Sequence, residues 1–249
     1  MKKSTIGILI VSFLLIMIGG CLFIGGILGI GGIEAAKVAL AKHGVYIDHG
    51  FQIDINRSDP SIEYSSMEPL FFYAGDVRNL KLEVGEAEVE VLQDDSAEDI
   101  AVRTDGDYDI YMKDDVLVIK TRNKADNHTL LLEIPEDMFF DSVEIEAGAC
   151  AMDIESLETK KLDVELGAGE IIINQLYVQT CELSVGVGNA EIYLDGSKED
   201  YNYEIECAVG NVDIGNESFG GLASERRINN HADANVEIEC GMGNVTIGF

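Results

Sequence analysis

Cations are scarce in this 249-residue chain: 17 Lys and Arg stand against 46 Asp and Glu, giving a net charge of −29. So acidic a chain has no electrostatic attraction to a phosphate backbone, which argues against nucleic acid as a partner. Proline is scarcer still, at three residues, and the 26 glycines follow no G-X-Y period, so a collagen-like helix is excluded. What is abundant excludes disorder, because 47% of the residues are apolar and can form a substantial core.

Charge is missing altogether from Ile6 to Ile33. As a helix this run would be about 42 Å long, enough for one tilted crossing of a ~30 Å hydrocarbon core and too short for two. Residues 1–5 form a short basic N-terminus carrying Lys2 and Lys3. A cleaved signal peptide is the first rival reading, but its apolar core would run to about twice the usual ~7–15 residues. A lipobox is the second: Ile18-Gly19-Gly20-Cys21 would make Cys21 the lipidated residue, yet twelve uncharged residues follow it. The preferred expectation is an uncleaved transmembrane helix over 6–33, with the N-terminus cytoplasmic and the rest of the chain extracytoplasmic. Gly25 and Gly29 form a GxxxG on which two helices can approach closely and form a homo-oligomer, although glycine is common in spanning helices generally. Residues 34–76 read as a juxtamembrane helix, Glu34 to His43 with Gly44 as its stop, followed by a less periodic capping region.

Helix patterns are absent after Gly44, and 77–249 is dominated by a repeat. Alternating apolar and acidic residues lead into a glycine-containing centre and a second short alternating run. The centres are Gly85, Gly148, Gly167 with Gly169, Gly186 with Gly188, Ala208 with Gly210, and Gly241 with Gly243. Strict alternation is the period of a half-buried strand. In the third copy Leu162, Val164 and Leu166 share one parity, whereas Ile171 and Ile173 share the other. Both sets point inward only if the backbone bends at the glycines. The last five copies are separated by 19, 19, 22 and 33 residues, and such self-similarity points to an all-β solenoid, or β-helix-like domain. Further strands are expected at Ala101–Arg103, Tyr108–Tyr111, Val116–Ile119 and Leu130–Ile134, with a turn at 123–127.

The span, the Leu132-Glu133-Ile134-Pro135 segment leading into Val143-Glu144-Ile145-Glu146-Ala147-Gly148, and the terminal Cys240-Gly241-Met242-Gly243-Asn244-Val245 together resemble the bacterial "putative adhesin" β-strand-repeat family. The resemblance covers 77–249 and implies a β-helical, membrane-anchored domain of unknown function, with no catalytic residues to carry over. Ala87 and Cys150 depart from its pattern by replacing the second glycine of their copies.

A calcium β-roll needs GGxGxD, and here the aspartate position holds Ile171, Ala190, Val212 and Val245. Asp105, Asp107, Asp109, Asp114 and Asp115 could gather around a weakly held calcium ion, but a solvated turn is the commoner meaning of such a cluster. His43, His49, His128 and His231 lack metal-ligand or triad spacing. No cofactor, metal or catalytic residue is therefore assigned. Cys207 and Cys240 fall at the same repeat position, one rung apart, whereas Cys150 and Cys181 have no evident partner. These features suggest a non-enzymatic membrane protein of the cell envelope. Its acidic domain would meet an envelope polymer or a membrane protein. Alternatives are an accessory sensor of envelope stress acting through the membrane helix, and a polysaccharide-active β-helix enzyme, which would need several acids and an Arg converging in one groove.

Overall fold

The computed structural model describes residues 45–47, 53–55, 67–122 and 128–249. The expected membrane helix at 6–33, Cys21, Gly25 and Gly29, the helix at 34–43 with Gly44, His43, His49 and the turn at 123–127 lie outside the described residues. Among the described residues no helix is long and apolar enough to cross a membrane. The fold is all-β. Strands β1 (Val45–Ile47) and β2 (Ile53–Ile55) pair with each other. The main sheet contains β3 (Leu70–Tyr73), β4 (Asn79–Asp94), β5 (Asp99–Thr104), β6 (Tyr108–Lys113), β7 (Val116–Thr121), β8 (His128–Pro135), β9 (Phe139–Ile154), β10 (Leu157–Leu194), β11 (Tyr201–Ile214), β12 (Glu217–Ile228) and β13 (Ala234–Gly248).

The repeat copies are the rungs of a parallel stack. Val84 lies opposite Ala147 between β4 and β9, Ala147 opposite Leu166 between β9 and β10, and Val185 opposite Cys240 between β10 and β13. Strand β10 supplies two rungs 19 residues apart, with Asp195 N donating to Leu176 O at 2.9 Å from one turn to the next. Within such a turn the buried positions run 162, 164, 166, then 169, 171, 173, then 176, 178, then 181, 183, 185. Their parity shifts three times, each time across two consecutive outward-facing residues. Each full turn therefore has three straight stretches and three corners, and the apolar residues of all of them line one continuous core.

The copies do not stack in chain order. After β10 the chain skips a place to form β11, and returns along the outside as antiparallel β12. It then crosses back so that β13 enters the slot between β10 and β11. Spatially the sixth copy lies on the fourth and the fifth lies outermost. The crossover at 229–233 is short, and side chains hold it. Asn202 Nδ2 donates to Ala232 O at 2.7 Å, while Asn202 Oδ1 accepts from Asn230 N and Ala232 N at 3.0 and 3.2 Å. Asn230 Nδ2 in turn donates to Lys198 O and Tyr201 O.

The two ends are closed differently. From the stretch expected to cap the first rung, β3 lies outermost, paired with β5. Direct cover for β4 comes instead from β7 and β8, parallel to its two halves, because Leu117, Ile119, Leu130 and Leu132 continue the buried apolar columns. At the other end β12 continues the apolar columns only in part, through Ile228 opposite Tyr203 and Phe219 opposite Val212. Directly opposed residues of an antiparallel pair share a side, so Arg226 shares the side of Ile205, and Ser224 that of Cys207. Arg226 is exposed there, and a charge on a terminal strand keeps another sheet edge from adding to the stack. Replacing it, as Arg226→Val, is expected to produce concentration-dependent self-association in sedimentation velocity where the wild type shows none.

The glycine corners bring successive backbones unusually close. A Cβ on Gly188 (φ +155°) would lie 1.9 Å from Gly169 O, and one on Gly243 (φ +151°) 1.7 Å from Gly188 O. Gly188→Ala should therefore cost at least ~3 kcal/mol. Gly215→Ala, with φ +57° but only Phe249 nearby at 3.6 Å, should cost about 1 kcal/mol. Urea denaturation of the two variants checks the difference.

Candidate interaction face

The corner glycines form two columns along the stack. Gly85, Gly148, Gly167, Gly186 and Gly241 succeed one another in the first, and a Cβ on each later member would meet the carbonyl of the one before it at 2.5–2.9 Å. Gly169, Gly188, Gly243 and Gly210 continue the second, all with positive φ. Ala87 and Cys150 stand at the start of that second column, Ala87 opposite Cys150 and Cys150 opposite Gly169. Neither takes a positive φ, and both turn a buried side chain into the corner. These glycines shape the backbone and present no chemistry of their own.

What they position is the straight stretch before the corner, whose outward positions stack into columns of like charge. One column runs Lys81, Glu144, Asp163, Glu182, Glu237, Glu204 and Arg227. Its neighbour runs Lys120, Glu83, Glu146, Glu165, Ser184, Glu239, Glu206 and Glu225. Members of a column are one strand spacing apart, ~4.8 Å, so the face is a regular lattice of carboxylates. Cations gather at its ends. Lys81 Nζ binds Glu144 at 2.5 Å and Glu146 at 2.9 Å, Lys120 binds Glu83, and Arg227 binds Glu204. Towards the middle, at the margin, Lys161 reaches Glu182 at 3.0 Å and Asp163 at 3.5 Å.

The electrostatics follow from that placement. Partial burial raises the Asp163 carboxyl, with Lys161 opposing and Glu182 adding to the shift. Burial and then Asp163 and Glu146 raise Glu165. Glu237 is raised by burial and then by Glu182 and Glu204, and Glu239 by burial and then by Glu206 and Glu237. The hydrogen bond from Lys120 instead holds Glu83 low. Lys81 is held above the ordinary ammonium range, since its bonds to Glu144 and Glu146 outweigh its desolvation. Beyond the corner the outward column runs Glu88, Ala151, Glu170, Asn189, Asn244 and Asn211, so amides replace acids over its last three places. Asn189, Asn244 and Asn211 stack, Asn244 Nδ2 donating to Asn189 Oδ1 at 3.3 Å, and Ser218 Oγ donates to Asn211 Oδ1 at 2.9 Å.

The acidic turn weighed for calcium is engaged otherwise. Arg122 binds Asp107 at 2.8 Å and Asp109 at 2.6 Å, and Asp105 accepts from Thr129 N at 2.7 Å. Asp114 takes the left-handed position (φ +56°) between β6 and β7, and the Asp115 carbonyl accepts from Arg78 and Asn79. Among the described residues no three His, Cys, Asp or Glu side chains are grouped to hold a metal ion. His128 packs edge-on against Tyr108 at 6.0 Å, while His231 lies exposed in the crossover. Burial pushes the thiols of Cys150, Cys181 and Cys240 up to about 12 and raises that of Cys207, so none is a thiolate at neutral pH.

Acids do meet in a shallow open hollow beside β4, lined by Asp94, Asp95, Glu133, Glu136 and Glu155. There Ser96 donates to Asp94 and holds its carboxyl low, Arg103 binds Glu133 at 2.9 Å, and Glu155 accepts from Gln93 N at 3.1 Å. These are structural bonds that tie the carboxylates to neighbouring strands and turns. That the alternating acids form the outer face of the stack is legible in the sequence, whereas which acids stand beside which is not, since Lys81 and Ser184 take acidic places in their copies.

Four raised carboxyls make the stability of the domain depend on pH in a definite sense. Each titrates above its unfolded value, so folding disfavours its ionised form. That penalty is full at pH 7 and disappears as pH falls through the raised values. Glu83, Asp94, Asp141 and Asp200 are held low by hydrogen bonds from Lys120, Ser96, Lys160 and Ser197, and their contribution is lost only at lower pH. The melting temperature should rise from pH 7 to about pH 5, fall below about pH 4, and rise with salt at pH 7. Scanning calorimetry across that range is the check, and a flat profile between pH 7 and 5 would contradict it.

The family model described as Toastrack DUF4097 matches residues 62–248. No curated protein matches the chain. Among solved structures, a putative cell adhesion protein from Clostridium sporogenes is 13% identical, with 73% of this chain and 97% of that chain covered and a TM-score of 0.41. A putative adhesin from Bacteroides fragilis is 12% identical, covering 76% and 98% of the two chains with a TM-score of 0.38. Another from Parabacteroides merdae is 14% identical, covering 73% and 80% with a TM-score of 0.34.

Proposed function

The chain belongs to the Toastrack DUF4097 family, and on that premise we propose that it is a non-enzymatic, membrane-anchored protein of the cell envelope whose acidic lattice docks a cationic envelope partner. The observation that carries this reading is the regularity of the lattice. Carboxylates repeat rung after rung on one rigid face instead of converging on a reacting atom. Stacked repeats offer extended surfaces, and a field of one sign selects partners of the other while keeping the domain off anionic lipid and polymer. The anchor is the uncharged run at 6–33; Lys2 and Lys3 before it are matched by Lys37 and Lys42 after it, and the terminal amine tips the balance to a cytoplasmic N-terminus with 51–249 outside.

Two measurements test it. Protease added to intact cells should degrade 51–249, and protection there would overturn the topology. Full-length protein in detergent should retain a component of solubilised envelope in a salt-sensitive manner. Glu165→Lys combined with Glu239→Lys, at the centre of the lattice, should reduce retention at least about tenfold. Equal retention by wild type and the double variant would overturn the docking face.

A further inference from the structure

The out-of-order insertion of β13 places two cysteines side by side. Cys207 of β11 and Cys240 of β13 are direct register partners on adjacent parallel strands, both buried in the core. In-register neighbours have Cα atoms ~4.8 Å apart, inside the ~4.4–6.8 Å span that a disulfide bridges. Both are free thiols, and as in-register neighbours their side chains lie on the same inner side of the sheet, next to each other in the core. The other buried cysteines have no such neighbour. Cys181 stands opposite Val236, and Cys150 between Ala87 and Gly169.

We propose that Cys207 and Cys240 are a disulfide site, oxidised by a small-molecule or protein disulfide, and that the bond locks β13 into its slot. The chemistry is a two-electron exchange. The Cys240 thiolate attacks the oxidant disulfide, forming a mixed disulfide and releasing one thiol. The Cys207 thiolate then attacks the Cys240 sulfur, forming the internal bond and releasing the second thiol. The two protons lost from the cysteines end on the two released thiols, and the oxidant is reduced by two electrons. Because both sulfurs are buried in the docked state, attack occurs when β13 is undocked and the bond closes as it enters. The closed loop spans about 34 residues and contains β12 and the crossover, so the bond ties the last-placed rung covalently to the outermost one. This inference concerns assembly of the stack and is independent of the docking role of the acidic face.

The test uses full-length protein in detergent, held with oxidised glutathione in sub-denaturing urea, then alkylated and digested for mass spectrometry. The expected product is a peptide pair joined through Cys207 and Cys240, with Cys150 and Cys181 alkylated. The melting temperature of the oxidised sample should exceed that of the same sample reduced by about 10 °C. Cys207→Ala and Cys240→Ala should each abolish that difference. The comparison is made within each variant, so a cavity cost common to both redox states cancels. Alkylation of both Cys207 and Cys240, pairing of either with Cys150 or Cys181, or a joined pair with no rise in melting temperature would each overturn the proposal. The wild-type peptide map decides the pairing even if a variant fails to fold.

Discussion

Close contact between backbones at the corners is the constraint on which the rest of the structure depends. The carbonyl of one rung occupies the place where a side chain of the next would begin, as with Gly169 O beneath Gly188 and Gly188 O beneath Gly243. Only residues without a Cβ allow that approach at positive φ. Once the corners register, the alternating residues on either side follow. Apolar positions fall into columns inside, from Leu82 through Ile145, Val164, Leu183 and Ile238 to Ile205, and acidic positions fall into columns outside.

The same stacking that builds the core concentrates the charge. Parallel in-register strands place equivalent residues one strand spacing apart, which suits apolar side chains and penalises ionised ones. Partial burial first and neighbouring carboxylates second raise the carboxyls of Asp163, Glu165, Glu237 and Glu239, and the cations Lys81, Lys120 and Arg227 pair with acids at the ends of the columns. Beyond the corner, asparagines replace acids at Asn189, Asn244 and Asn211, where stacked amides can hydrogen-bond along the axis. A family whose domain function is unassigned thus carries, in this chain, one outer stretch that tolerates repulsion beside another that relieves it.

Parallel stacks must also end. Here one end is covered by strands that continue the buried columns and then turn antiparallel, and the other by β12, which sets Arg226 where an apolar residue would continue the core. Inserting β13 behind β11 lets a hairpin made earlier in the chain serve as the terminal cap. The Asn202 and Asn230 side chains make the short crossover possible by satisfying backbone groups that no strand partner reaches.

By itself the sequence determined the all-β class, the rung length, the glycine corners and the inward and outward residues of each strand. These follow from the two-residue period of a strand and from the 19-residue recurrence of Gly167 and Gly186, both local properties. Tertiary structure alone decided the order of the rungs, the strands that cover β4, and which acids of the outer face stand beside one another. The reason is that the copies are nearly equivalent in pattern, so alternation cannot say which copy lies beside which. Loop lengths, Arg226 and Ser224 on β12 and the hydrogen bonds of the crossover distinguish them, and these act only when the strands meet.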